Sequence, residues 1–183
     1  MSVKSNTQLA AFFETGDQPS ETEFGHLVDT ILPPATVLTG TGGSVALTAA
    51  THAYRDLVVG VVSGGLASDL TLTLPTTIVT DEWYHILFFG DLSDNDTHDL
   101  KILTGTQGSH FFYGNVNSFL TVADSSGGAL ISAAQGNGSS NDVFNCNTNA
   151  AADIWIRGKS STEWFIWGNT IGGTATTIGD ALT

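Results

Sequence analysis

The sequence predicts a mainly β protein, an antiparallel β-sandwich or jelly-roll-like body preceded by a short N-terminal helical pair. Three observations predict it. Apolar residues recur at helical spacing only within the first 32 residues, and with a period of two from Ala35 onward. Roughly ten runs of β-formers then follow one another, punctuated by Gly, Asn, Asp and Ser clusters with no helical segment between them. Charged residues make up only 13% of the chain, so uncharged Thr, Ser and Asn and 21 glycines must supply the polar surface and the turns.

The elements can be justified in chain order. Ser5 caps a first helix with Gln8 three positions on, Leu9, Phe12 and Phe13 form its stripe, and Gly16 stands where a left-handed C-cap belongs. Ser20 and Glu23 form a capping box for a second helix whose stripe is Phe24, Leu27, Val28 and Ile31, ended by Pro33-Pro34. The pair is too small to hold a core of its own, so these seven side chains are expected to anchor it on the β body or on another protein. Gly40–Ser44 reads as a flexible linker. Strands are expected at 45–48, 56–62, 69–74, 83–89, 99–103, 119–123, 129–133, 142–146, 153–157 and 163–167. Segment 69–74 alternates three leucines with two threonines, the pattern of a half-exposed strand. The domain organisation expected is an anchoring segment at 1–34, a β-rich body at 35–168 and an extended C-terminal arm at 169–183.

Three strands carry large apolar groups on both faces. In segment 163–167, Trp164 and Ile166 alternate with Phe165 and Trp167; segments 153–157, with Trp155, and 83–89 behave alike. An isolated antiparallel sheet normally has one wet face. Trp155, Trp164, Phe165 and Trp167 are therefore expected to lie at an interface between copies of the chain, with a covering loop as the simpler alternative.

Signatures of catalysis and cofactor binding fail one by one. Five Lys+Arg against 18 Asp+Glu give a net charge of −13, which repels a phosphate backbone and argues against nucleic-acid binding. Gly158-Lys159-Ser160 lacks the earlier glycine of a P-loop and reads as a hairpin turn. The single cysteine, Cys146, excludes an internal disulfide and reads as a small packed side chain. His26, His52, His85, His98 and His110 form no close metal-binding pair. Asp94 and Asp96, in the acidic loop 91–99, offer carboxylates to calcium but without the glycine and closing glutamate of an EF-hand. Trp83, Tyr84, Tyr113, Trp155, Trp164 and Trp167 are candidates to stack on sugar rings, with Tyr84 beside Trp83 and the segment from His110 to Tyr113 the most loop-like; the alternative, favoured for aromatics in strand runs, is a place in the core. No apolar stretch reaches the roughly 18 residues that span a bilayer, and no secretion signal is visible. The expectation is a non-enzymatic protein with no cofactor, no catalytic residue, no metal, no nucleic acid and no membrane partner.

One stretch resembles a known family. Phe13-Glu14-Thr15-Gly16-Asp17-Gln18-Pro19-Ser20 with Phe24, continuing to Leu27-Val28-Asp29, is similar to the opening F-x-T-G-D-x-P-T/S motif of small structural proteins of tailed bacteriophages. The resemblance implies a virion structural protein made in the host cytoplasm and carried on the outer surface of the particle. Such proteins are head-decoration (cement), head-fibre or tail-fibre components, commonly homotrimers that bind the major capsid protein or other virion proteins. The leading expectation is a capsid decoration or head-fibre protein. The alternatives are a tail-fibre or baseplate component that binds host glycan, and a carbohydrate-active β-sandwich protein.

Overall fold

The computed structural model describes residues 20–25, 35–38, 43–59, 68–89, 98–120, 130–146, 149–172 and 175–180. Its strands are β1 (Thr36–Leu38), β2 (Gly43–Ala46), β3 (Asp56–Val59), β4 (Leu70–Thr73), β5 (Trp83–Phe89), β6 (Leu100–Leu103), β7 (Phe111–Leu120), β8 (Leu130–Asn137), β9 (Val143–Cys146), β10 (Asn149–Gly158), β11 (Glu163–Gly172) and β12 (Thr177–Gly179). They form two sheets, one of seven strands in the order β1-β3-β5-β10-β11-β7-β8 and one of five in the order β12-β9-β6-β4-β2.

The expectation of purely antiparallel pairing is corrected. The pairs β1–β3, β3–β5, β2–β4, β4–β6 and β7–β11 are parallel. Parallel neighbours need a long crossover, usually a helix. Here each crossover passes through a strand of the other sheet: from β1 to β6 the chain alternates between the two sheets, so each return to a sheet runs in the same direction as the last, and one short helix, Ala49–His52, which the strand pattern did not predict, lies between β2 and β3. Period-two patterning places side chains on faces but carries no information on strand direction, which is why alternation alone could not reveal this coil.

One core lies between the sheets. Leu57, Val59, Tyr84, Ile86, Phe88, Ile154, Ile156, Phe112, Val116, Trp164 and Ile166 enter it from the larger sheet, and Leu70, Leu72, Leu100, Ile102, Phe144 and Cys146 from the smaller. The three leucines of segment 69–74 are all buried while Thr71 and Thr73 lie on the half-exposed side. Gly114 marks a close backbone approach inside the larger sheet. Its φ is +131°, and a Cβ there would stand 2.0 Å from the carbonyl oxygen of Ile166.

Several local expectations change. The aromatics after His110 form no loop: β7 begins at Phe111, and Phe112 is buried. Tyr84 is likewise a core residue, its hydroxyl donating to the buried Glu82 carboxylate. Gly43 and Ser44 pair in β2 rather than serving as linker. The boundary drawn at Gly168 falls inside β11, which runs unbroken to Gly172, and β12 pairs with β9. Buried hydroxyls join β7, β11 and Thr176: Ser118 Oγ lies 2.6 Å from Thr176 Oγ1, accepts from Thr176 N at 3.0 Å, and accepts from Thr170 Oγ1 at 3.1 Å. The turn after β10 is a hairpin, with Lys159 N donating to Glu163 O at 2.9 Å.

At the N-terminus the structure describes a helical segment at residues 21–25. Its capping box is formed: Ser20 N donates to Glu23 Oε2 at 2.7 Å and Glu23 N to Ser20 Oγ at 3.3 Å. Phe24 is 59% exposed. Leu9, Phe12, Phe13, Leu27, Val28 and Ile31, with the rest of the expected pair, lie outside the described residues, as do Asp94 and Asp96.

His110 is a buried ring at the start of β7 whose Nδ1 has no partner among the described residues, and burial lowers its pKa below the ordinary histidine value. The unfolded chain takes up a proton below about pH 6.5, whereas the folded state resists it. Stability from this group is therefore present above that pH and lost as pH falls through the depressed folded value. Paired urea titrations of the wild type and His110→Gln are expected to show the wild type losing ground to the variant between about pH 7.5 and about pH 5. An unchanged difference across that range would refute the assignment.

Candidate functional site

Strand alternation gives the larger sheet a second face, turned away from the core, and neighbouring strands align its side chains in rows. Across one row stand Asp56 of β3, His85 of β5, Trp155 of β10 and Trp167 of β11. Beside it runs Trp83, Arg157, Phe165 and Tyr113, from β5, β10, β11 and β7. Further along the same strands Ile171, Phe119 and Ile131 lie opposite one another on β11, β7 and β8, all three exposed. The outer face of one sheet thus holds both an aromatic row and an apolar patch.

The rings form a continuous ladder. Tyr54 meets Trp83 edge-on at 6.1 Å, Trp83 lies 5.3 Å from Trp155, and Trp155 stacks on Trp167 at 5.9 Å and 13°. Trp167 continues to Phe165 at 5.0 Å, and Phe165 to Tyr113 at 6.2 Å. His85 stacks on Trp155 at 3.9 Å and 14°. Trp155 is therefore flanked by two near-parallel rings, His85 and Trp167, which leaves little of its π-surface for a sugar to stack on. Tyr54, Phe165 and Tyr113 are the exposed rungs, at 37%, 36% and 45%. The Lys159 ammonium lies 4.4 Å from the centroid of the Tyr113 ring and donates to Glu163 Oε2 at 2.7 Å, a bond that holds the Glu163 carboxyl below its usual range.

Two non-glycine residues in the left-handed region brace one end of the ladder. Tyr54, with φ 60°, donates its N–H to Trp83 O at 2.8 Å and sets its ring against Trp83. Asp81, with φ 69°, accepts from Arg157 Nη2 at 2.7 Å. Such conformations cost roughly 1–2 kcal/mol each and persist where the surrounding structure holds them. Burial, aided by the Glu82 and Asp81 carboxylates, raises the Tyr54 phenol above its ordinary pKa.

His85 occupies the middle of the face. Its Nδ1 lies 2.8 Å from Asp56 Oδ1 and its Nε2 2.8 Å from Asp153 Oδ1. Both ring nitrogens thus face carboxylate oxygens, and the trio ties β3, β5 and β10 together as a clasp across the face. Among the described residues no group of three or more His, Cys, Asp or Glu is placed to hold a metal ion.

Of the four residues expected at an interface, Trp155, Phe165 and Trp167 stand together on this face. Trp164 does not: it is fully buried in its own core, at 5.9 Å and 69° from Tyr84, and its assignment to an interface is corrected. Alternation turns Trp164 inward as surely as it turns Phe165 outward. The clasp is not legible in the sequence, because His85 lies 29 residues from Asp56 and 68 from Asp153 and only sheet pairing joins them. No protein-family model, curated protein or solved structure matches the chain.

Proposed function

We propose that this chain is a non-enzymatic virion structural protein, a capsid decoration (cement) or head-fibre protein that binds the coat lattice of a tailed bacteriophage as a homo-oligomer. The observation that carries the reading is the ring ladder on the outer face of the larger sheet, continued by Phe119, Ile131 and Ile171. Rings that stack on one another offer protein-sized contact area, whereas a sugar needs a free ring face. The resemblance of Phe13–Leu32 to phage structural proteins supplies the virion setting. A sandwich-like body, its two sheets closed over one core, supplies a rigid support for such a face. Binding only the assembled shell would stabilise that shell by mass action.

The test separates anchoring from self-assembly. Deleting residues 1–34 is expected to leave the body folded and oligomeric, because the strands of the two sheets, from Leu38 to Ile166, supply a core between them among the described residues. The deleted protein is expected to lose its place on the particle, as counted by electron microscopy of purified virions. Normal occupancy after the deletion would move the attachment surface to the body, and absence of the full-length protein from virions would overturn the reading.

A further inference from the structure

We propose that Asn137-Gly138, at the end of β8, is a deamidation site that the folded turn keeps from reacting, so that conversion of Asn137 to aspartate or isoaspartate marks molecules in which this turn has come away from β7. The inference is independent of any role for the ladder face. Asparagine followed by glycine is the pair most open to this reaction, because glycine has no side chain to obstruct attack by its own backbone nitrogen. Asn137-Gly138 is the only such pair in the sequence.

Water is the only co-reactant. Gly138 N gives up its proton to solvent and bonds to Asn137 Cγ, the Cγ–Nδ2 bond breaks, and ammonia leaves as a succinimide ring closes. Water then opens the ring at either carbonyl. One opening gives aspartate, and the other gives isoaspartate, with an extra carbon in the main chain.

The reaction needs a free Gly138 nitrogen and a side chain able to swing toward it, and the fold supplies neither. Gly138 N donates to Phe112 O at 2.8 Å and Phe112 N to Asn141 O at 2.6 Å, so both sides of the turn are pinned to one fully buried residue of β7. Asn137 Oδ1 accepts from Ser139 N at 2.9 Å and Ser140 N at 3.0 Å, and its Nδ2 donates to Ser140 Oγ at 2.8 Å. Asn141 locks the base of the turn: its Oδ1 accepts from Asn137 N at 3.0 Å, and its Nδ2 donates to Ile178 O at 3.3 Å. Two donors on Oδ1 polarise the amide carbonyl and favour attack, but the nucleophile is held by Phe112. Asn137 is exposed, so water and base reach it and burial gives no protection. Protection rests on these hydrogen bonds and lapses when they open together.

The turn requires the reactive pair. Gly138 has φ +75°, and a Cβ there would stand 2.5 Å from Glu163 Oε1. The carboxylate product has no Nδ2–H to donate to Ser140 and adds a charge to a chain already at −13. Isoaspartate also lengthens the main chain ahead of Gly138 and takes its N–H out of register with Phe112 O.

Peptide mapping by mass spectrometry follows Asn137 in the full chain held above neutral pH, with and without denaturing urea. Deamidation is expected to be at least about tenfold slower in the folded protein, since only opened molecules react. Asn141→Ala removes the bonds to Asn137 N and Ile178 O and leaves the reacting pair intact. In that variant, native-state deamidation and hydrogen exchange of the Gly138 amide are expected to rise together, by about threefold or more. Equal rates in the folded and unfolded chain, or no deamidation in either, overturn the inference. So does faster Gly138 exchange in the variant without faster deamidation.

Discussion

Replacing Trp164 by alanine is expected to lower the unfolding free energy by about 3–5 kcal/mol, the cost of emptying a large aromatic site in a packed core. Trp164 is fully buried, stands edge-on to Tyr84, and lies on β11 between β10 and β7. A domain with about 5–15 kcal/mol of total stability loses a large share of it. The indole Nε1 of Trp164 has no hydrogen-bond partner among the described residues. Trp164→Phe is therefore expected to retain most of the stability, since no hydrogen bond is lost with the indole N–H and a buried donor without a partner is removed. Urea denaturation of the three proteins decides the matter. A loss below about 1 kcal/mol for the alanine variant would show that this core does not depend on the ring, contrary to the usual cost of such truncations.

The opposite behaviour is expected one residue later. Phe165 points away from the core, is 36% exposed, and links Trp167 to Tyr113 in the ladder. Phe165→Asp places a carboxylate in the middle of the proposed assembly face. A central aromatic anchor contributes about 2 kcal/mol or more, so association should fall roughly 30-fold or more per interface. The species seen by sedimentation should shift from oligomer to monomer, while the loss in unfolding free energy stays well below that of Trp164→Ala. Two adjacent residues would then separate folding from assembly. Wild-type assembly by Phe165→Asp would place the interface elsewhere on the chain.

Much of the fold is legible in the sequence because burial is local and periodic. The alternation of Leu70, Leu72 and Leu74 with Thr71 and Thr73 assigns an inside and an outside without reference to any other strand. The same reasoning divides Trp164 and Ile166 from Phe165 and Trp167, and the Ser20–Glu23 capping box follows from spacing alone. Other features are hidden for equally physical reasons. Phe111-Phe112-Tyr113 lies between glycines and lacks the polar alternation of a half-exposed strand, yet it opens β7, since Phe112 packs inward while Tyr113 joins the ladder. Composition makes residues 169–172 look like part of a bare arm, but pairing with β7 and β10 on either side holds them in the sheet.

By itself the sequence determined which side chains must leave water, that sheets rather than helices would remove them, and that one face would be left with aromatic rings to spare. These are properties of a short stretch of chain and its solvent. Strand direction, the alternation of β1 to β6 between two sheets, and the meeting of Asp56, His85 and Asp153 were decided only by the tertiary structure. Hydrogen-bonded pairing brings residues from distant parts of the chain to neighbouring positions, and a pattern of period two is the same whichever way its strand runs.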